Sequence, residues 1–118
     1  MGFAPWDLNR RSYMPPMHPM ATDPEVPCSE KLRVLSDRTR LEVVKSLLRG
    51  SALAGELGAD LEVEQSLLSH HLRVLREAGL VISSREGAAK RYALAEGVRV
   101  GERSVSLGCC ELSFAADA

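Results

Sequence analysis

The sequence predicts a mainly α-helical fold that carries one small β-hairpin, and three observations lead there. Residues 65–78 split into one polar and one apolar arc when advanced by about 100° per residue, as an amphipathic helix requires. The helix stop Ala78-Gly79 is followed by the strand-like Leu80-Val81-Ile82, which Lys90-Arg91-Tyr92-Ala93-Leu94 answers across a turn-forming segment. Upstream, short apolar-periodic stretches are punctuated by capping residues and glycine. A length of 118 residues with 45% hydrophobic side chains suits one compact helical domain and requires no enzyme-sized cleft.

The first segment, residues 1–22, contains Pro5, Pro15, Pro16 and Pro19, has little periodicity and reads as a flexible arm, not a signal peptide. Met14, Met17, His18 and Met20 are soft enough to ligate copper, although a flexible arm accounts for them without a metal. Residues 23–96 form the predicted domain. Its first helix starts near 23–24 or at Ser29, Pro27 intruding, and runs through Leu32, Val34 and Leu35. Ser36 or Asp37 caps a second helix over 38–49, whose stripe of Leu41, Val43, Val44, Leu47 and Leu48 ends at Gly50. Its Arg38, Lys45 and Arg49 are read as solvated charge, with DNA backbone contact as the alternative. A short helix over 52–57, a turn over 58–64 and a helix from Gln65 follow. A strand at 80–82, a turn over 83–87 and a returning strand with Tyr92 and Leu94 on one face complete the hairpin, with Arg85, Lys90 and Arg91 crowding its tip. Helix, turn, helix, hairpin is a winged helix-turn-helix, in which the second helix enters a major groove and the wing reaches flanking phosphates. Residues 97–118 form a C-terminal extension with vicinal cysteines, predicted to be strand-like.

The polar arc holds Gln65, Ser66, Ser69, His70, Arg73 and Arg76 together with Glu77. Amide, hydroxyl, imidazole and guanidinium groups are those that bond phosphates and base edges, whereas an ordinary solvated helix face favours Glu and Lys. The formal net charge of -1 is unusual for a DNA binder, so local distribution has to carry that reading. Between residues 65 and 94, Arg73, Arg76, Arg85, Lys90 and Arg91 face only Glu77 and Glu86, while Glu56, Asp60, Glu62 and Glu64 precede that stretch. Near-neutral overall charge limits non-specific affinity, which suits a protein that must be released.

Three stretches, LSDRTRLEVVKSLLRG, SLLSHHLRVLREAGLV and REGAAKRYAL, resemble the ArsR/SmtB family of bacterial metal-sensing repressors, over residues 31–96. The specific parts are Asp37-x-Thr39-Arg40-Leu41, Ser69-x-His71-Leu72-x-x-Leu75 with Ala78-Gly79-Leu80, and the wing glycine Gly87. The resemblance implies a homodimeric winged-helix repressor that sits on double-stranded operator DNA and leaves when an inducer binds. No stretch approaches membrane-spanning length, so a soluble cytoplasmic protein is expected.

Cys28, Cys109 and Cys110 carry the remaining chemistry. In cytosol they read as thiolate ligands, redox switches or inert packing and not as a disulfide framework. The family's best-known arsenic and cadmium pattern places cysteines in the helix before the recognition helix, where this chain has Leu53 and Gly55. The paired acid and histidine ligands of its zinc sensors find no match after Glu96, which disfavours zinc. Three thiols suit the trigonal all-sulfur demand of arsenite or antimonite, whereas an all-cysteine tetrahedral zinc site would need a fourth ligand. The segment 108–110 also resembles a Gly-Cys-Cys tail of some arsenic-responsive members. In a regular strand Cys109 and Cys110 would point to opposite faces, so a shared ion requires a bend, for which Gly108 is suited. Cys28 at a helix N-terminus would have its thiolate stabilised. His71 lies on the apolar arc and reads as a core or hydrogen-bonding residue before a metal ligand, while His70 sits on the polar edge, in reach of DNA.

The expected mechanism is an apo dimer that represses by inserting residues 65–76 into successive major grooves, with As(III) or Sb(III) as inducer bridging the three thiolates. A redox regulator using Cys109 and Cys110, and a protein-interaction module without DNA, are the competing readings. An enzyme is not expected, because no catalytic constellation or phosphate-cradling glycine loop is present.

Overall fold

A computed structural model describes residues 26–115. Helix α1 (Cys28–Leu35) starts directly behind Pro27, whose carbonyl accepts from the N–H of Glu30 at 3.0 Å and of Lys31 at 3.2 Å. The alternative start at 23–24 lies outside the described residues. Asp37 caps α2 (Arg38–Leu48), its Oδ1 accepting from the Arg40 N–H at 3.0 Å, and hydrogen bonding there holds the carboxyl below its ordinary range. The predicted stripe of α2 buries Val43, Val44, Leu47 and Leu48.

The next segment departs from expectation. Ala52–Leu53 is not helical but a two-residue strand, β1, and the helix, α3, occupies Ala54–Leu61. Two forces move the boundary. Ala52 and Leu53 find antiparallel partners in Tyr92 and Arg91, and Glu56 reaches back to accept the Leu53 N–H at 2.9 Å, fixing the helix start. At its far end Glu62 adopts the left-handed conformation, φ 57° and ψ 48°, and the Val63 N–H bonds the Gly58 carbonyl at 3.0 Å. Gly58 is therefore inside the helix and not in a turn. Its value is close approach, since a Cβ there would stand 2.7 Å from the Gln65 side-chain nitrogen and 3.3 Å from the Val63 carbonyl oxygen.

Helix α4 (Gln65–Glu77) follows and closes in a Schellman motif, with Gly79 at φ 81° and N–H bonds from Gly79 to Arg76 and from Leu80 to Leu75. The wing is longer than predicted: β2 (Val81–Glu86) pairs with β3 (Ala89–Leu94) through a turn at Gly87-Ala88. Ser83, Ser84 and Arg85, expected in the turn, are laddered with Tyr92, Arg91 and Lys90. Gly87 at φ 62° reverses the chain in two residues, so the ladder continues to the tip and cross-strand pairing overrides the weak strand preference of serine. The sheet order is β1-β3-β2.

The C-terminal segment is also corrected. Instead of one strand it forms a second hairpin, β4 (Ser104–Ser106) with β5 (Glu111–Ser113), and Cys109 and Cys110 lie in its connection. Gly108 at φ 100° and a Leu107 N–H bond to the Cys110 carbonyl at 2.8 Å bend the chain there. Val98, Val105 and Leu107 from this segment join Val44, Leu47, Leu57, Leu68, Leu72, Leu75 and Leu80 in one core. Each buried leucine contributes about 1.5–3 kcal/mol by leaving water, so the second hairpin shares the stability of the helices.

Candidate functional site

The hairpin bend brings Cys109 and Cys110 to the N-terminus of α1, where Cys28 is the first helical residue. The sulfur atoms of all three lie within 4.8 Å of one another in a single chain, and no histidine or carboxylate joins the group among the described residues. Cys28 and Cys109 are joined as a disulfide with Cα atoms 6.0 Å apart, and the Cys110 sulfur, a free thiol, lies 3.9 Å from that of Cys28. This differs from the vicinal pair expected for redox chemistry. Consecutive Cα atoms stand only about 3.8 Å apart, short of the roughly 4.4–6.8 Å that a disulfide usually spans, so Cys109 pairs across the fold and not with its neighbour. Lys31, one turn after Cys28, donates from Nζ to the Leu107 carbonyl at 3.3 Å and ties the hairpin to α1 a second time. Sulfur donors in such a group suit soft ions, and their thiols are open to oxidation.

The second set of residues lies on α4 and the wing. Gln65, Ser66, Ser69, His70, Arg73, Arg76 and Glu77 are all exposed, and Leu68, His71, Leu72, Leu75 and Ala78 are buried. Leu67, at the margin of the apolar arc in the first turn, is 48% exposed and departs from the expected partition. An open cleft separates Gln65, Ser69, Arg73 and Arg76 on the helix from Lys90 and Tyr92 on the wing. Arg85 and Lys90 are exposed on the two wing strands beside the tip.

Two of the predicted contact residues are already engaged. The Ser66 hydroxyl donates to Glu64 at 2.8 Å, and Glu64, the N-cap of α4, accepts the Leu67 N–H at 3.3 Å. The Ser66 hydroxyl, followed by the Ser66 and Leu67 N–H groups, holds the Glu64 carboxyl below its ordinary range. Arg91 Nε and Nη2 donate to Glu86 at 2.8 and 3.4 Å, and Nη1 donates to the Ser51 hydroxyl at 3.2 Å. Of Arg38, Lys45 and Arg49, Lys45 pairs with Glu42 at 3.7 Å and lies 5.9 Å from the Phe114 ring centre.

Sequence reasoning placed His71 as a hydrogen-bonding residue without its partner. That partner is Arg40, whose Nε donates to His71 Nδ1 at 3.0 Å while Nη1 donates to the Val34 carbonyl at 3.1 Å. Burial leads in holding the His71 imidazole below its ordinary value, with Asp37 opposing and Arg40 and His70 adding to the effect. Both residues stood in the motifs singled out in the sequence, but nothing in their spacing showed that they meet.

Fold and site together define a winged helix-turn-helix regulator with a thiol cluster. The chain matches the model of the arsR family of bacterial regulatory proteins over residues 37–83. It is 44% identical over 64 residues to the HTH-type transcriptional regulator CmtR of Mycobacterium tuberculosis, covering 54% of this chain and 54% of that protein. It is 35% identical over 82 residues to the arsenical resistance operon repressor of Bacillus subtilis, covering 69% of this chain and 77% of the repressor. The solved structure of HlyU from Vibrio cholerae superposes with a TM-score of 0.54 at 36% identity, covering 58% of this chain and 78% of that one. The chain belongs to the arsR family. It spans about half the length of CmtR, 54%. The family is one of regulatory proteins and not of enzymes. Among the described residues no helix is long and apolar enough to cross a membrane.

Proposed function

We propose that this protein is a homodimeric, cytoplasmic transcriptional repressor that holds an operator duplex through α4 and the wing and releases it when As(III) or Sb(III) binds Cys28, Cys109 and Cys110. The observation that carries the reading is the meeting of three sulfurs within 4.8 Å, with no harder ligand among the described residues. Arsenite takes three thiols and expels three waters, so the donor set matches the ion in number and softness. The family and the arsenical resistance repressor among its relatives support a DNA-binding switch. Gln65, Ser69, His70, Arg73 and Arg76 would face the major groove, and Arg85, Lys90 and Arg91 the flanking phosphates; Ser66 would have to leave Glu64 and Arg91 would have to leave Glu86.

In this mechanism Cys28 at the α1 N-terminus and Cys109 and Cys110 in the second hairpin would hold the ion as three thiolate ligands. That ligation favours a conformation whose two recognition helices no longer match successive grooves, and operator affinity falls by the ion's preference for that state. A second reading is supported by the Cys28–Cys109 pairing: a two-electron oxidation of these thiols, with loss of two protons to an oxidant, would do what the ion does.

Anaerobic arsenite titration of the DNA-bound, reduced protein tests the proposal, repeated on Cys28→Ser, Cys109→Ser and Cys110→Ser. Release that survives all three changes rules out the metalloid site, and release by diamide but not by arsenite selects the redox reading. A protein without steeply salt-dependent duplex binding is neither, and is an interaction module.

A further inference from the structure

The Tyr92 phenol apart, His71 is the only buried polar side chain among the described residues, at 7% exposure, and it belongs to the recognition helix. A guanidinium never gives up its proton, so a hydrogen bond from Arg40 Nε to Nδ1 requires an imidazole with a bare Nδ1. The same guanidinium holds the carbonyl of Val34 in the last turn of α1, one of the helix-end acceptors that lack an intrahelical donor. Arg40 is itself placed by its backbone N–H on Asp37. Helix α1 is thus gripped at both ends. At its start Cys28 and Lys31 hold the second hairpin, and in its last turn, about 9 Å from Cys28 along the helix axis, Arg40 holds Val34.

We infer that Arg40 is the positioning residue that couples the thiol cluster to DNA reading, because one planar fork bonds the end of the Cys28 helix and the recognition helix at once. A shift of α1 that lengthens or tilts the bond to Val34 must rotate the guanidinium. That rotation spoils the bond to His71, because hydrogen bonds weaken steeply with angle. The burial that keeps His71 neutral keeps its acceptor available. This inference rests on the proposed thiol-responsive DNA binding, and it adds the route between input and output.

The test uses the full chain in two readouts. Imidazole nitrogen chemical shifts of His71 are recorded without DNA, with the thiols reduced and with arsenite added or Cys28–Cys109 oxidised by diamide. The expected result is a change in the Nδ1 signal between thiol states that is absent in Cys28→Ser. Unchanged His71 signals overturn the inference. The second readout is affinity for a duplex selected by the wild-type protein from a random pool, reduced against arsenite-loaded. Wild type is expected to lose at least tenfold, whereas Arg40→Met, which keeps the stem but no donor, loses less than twofold. His71→Asn, which keeps an acceptor near Nδ1, is expected to retain most of the wild-type ratio and supplies the rescue. A full tenfold ratio in a folded Arg40→Met also overturns it. If His71 responds to the thiols while duplex affinity does not, the functional reading fails and the Arg40 linkage stands.

Discussion

Cys28 and Cys110 place their sulfurs 3.9 Å apart although 82 positions separate them in sequence. The contact closes the fold, because the chain that begins α1 and the hairpin that ends the described structure are held at one point. Whatever binds or oxidises these thiols acts on α1 and the second hairpin at once.

Ligation there should stabilise the fold. At arsenite one hundred times its dissociation constant, linkage adds about 2.7 kcal/mol to unfolding. In a domain of this size that moves the melting temperature by on the order of 10 °C. Thermal melts of the reduced protein should show this for wild type and little of it for Cys110→Ser. An equal rise in both would leave Cys110 outside the site.

Glu86 restrains the wing. Its bidentate hold occupies the Arg91 guanidinium, and the pairing, Arg91's hydrogen bond first, keeps the Glu86 carboxyl below its ordinary range. Glu86→Gln should tighten duplex binding severalfold and steepen the slope of log affinity against log salt by about 0.9, the value of one phosphate contact. Anisotropy titrations at several salt concentrations measure both, and an unchanged slope would show that Arg91 stays off the DNA.

His71 sets a pH dependence. Burial lowers its folded pKa below the ordinary 6.5, and among the groups facing it Asp37 opposes this while Arg40 and His70 reinforce it. The folded state resists a proton that the unfolded chain accepts. Stability is therefore full above the unfolded value and falls as pH drops through 6.5 toward the lower folded value. Urea denaturation of wild type and His71→Asn between about pH 7 and pH 5 should show a steeper loss in wild type. Parallel curves would mean that His71 titrates alike in both states.

Glu62 holds a left-handed conformation at φ 57°. That conformation costs an L-residue about 1–2 kcal/mol, against the roughly 0.5–1 kcal/mol of extra chain entropy that glycine loses on folding. Glu62→Gly should therefore stabilise the protein by on the order of 0.5–1 kcal/mol in chemical denaturation. Destabilisation would show that the Glu62 side chain contributes more than its backbone costs.

Legibility followed the range of the interaction. The faces of α4, Leu67 apart, the Gly79 stop and the wing glycine depend on residues within a few positions of one another and were readable, and the α2 cap was narrowed to Ser36 or Asp37, of which Asp37 caps. Boundaries that depended on partners elsewhere were not. Ala52 and Leu53 became strand because Tyr92 and Arg91 lay alongside, and Ser83 to Arg85 left the turn for the same reason. The C-terminal alternation was read as one strand because pattern cannot show a chain folding back on itself at Gly108.

The residues of the candidate site divide the same way. Three cysteines, two arginines on a polar helix face and a histidine on an apolar one are properties of the sequence by itself, and they fixed which residues were candidates for thiol chemistry and for the reading face. Only the tertiary structure decided that Cys28 meets Cys109 and Cys110 within one chain, that Glu64 holds Ser66 and Glu86 holds Arg91, and that Arg40 joins Val34 to His71. The physical reason is that periodicity and capping are local, whereas contacts between distant segments depend on how the helices pack around a common core.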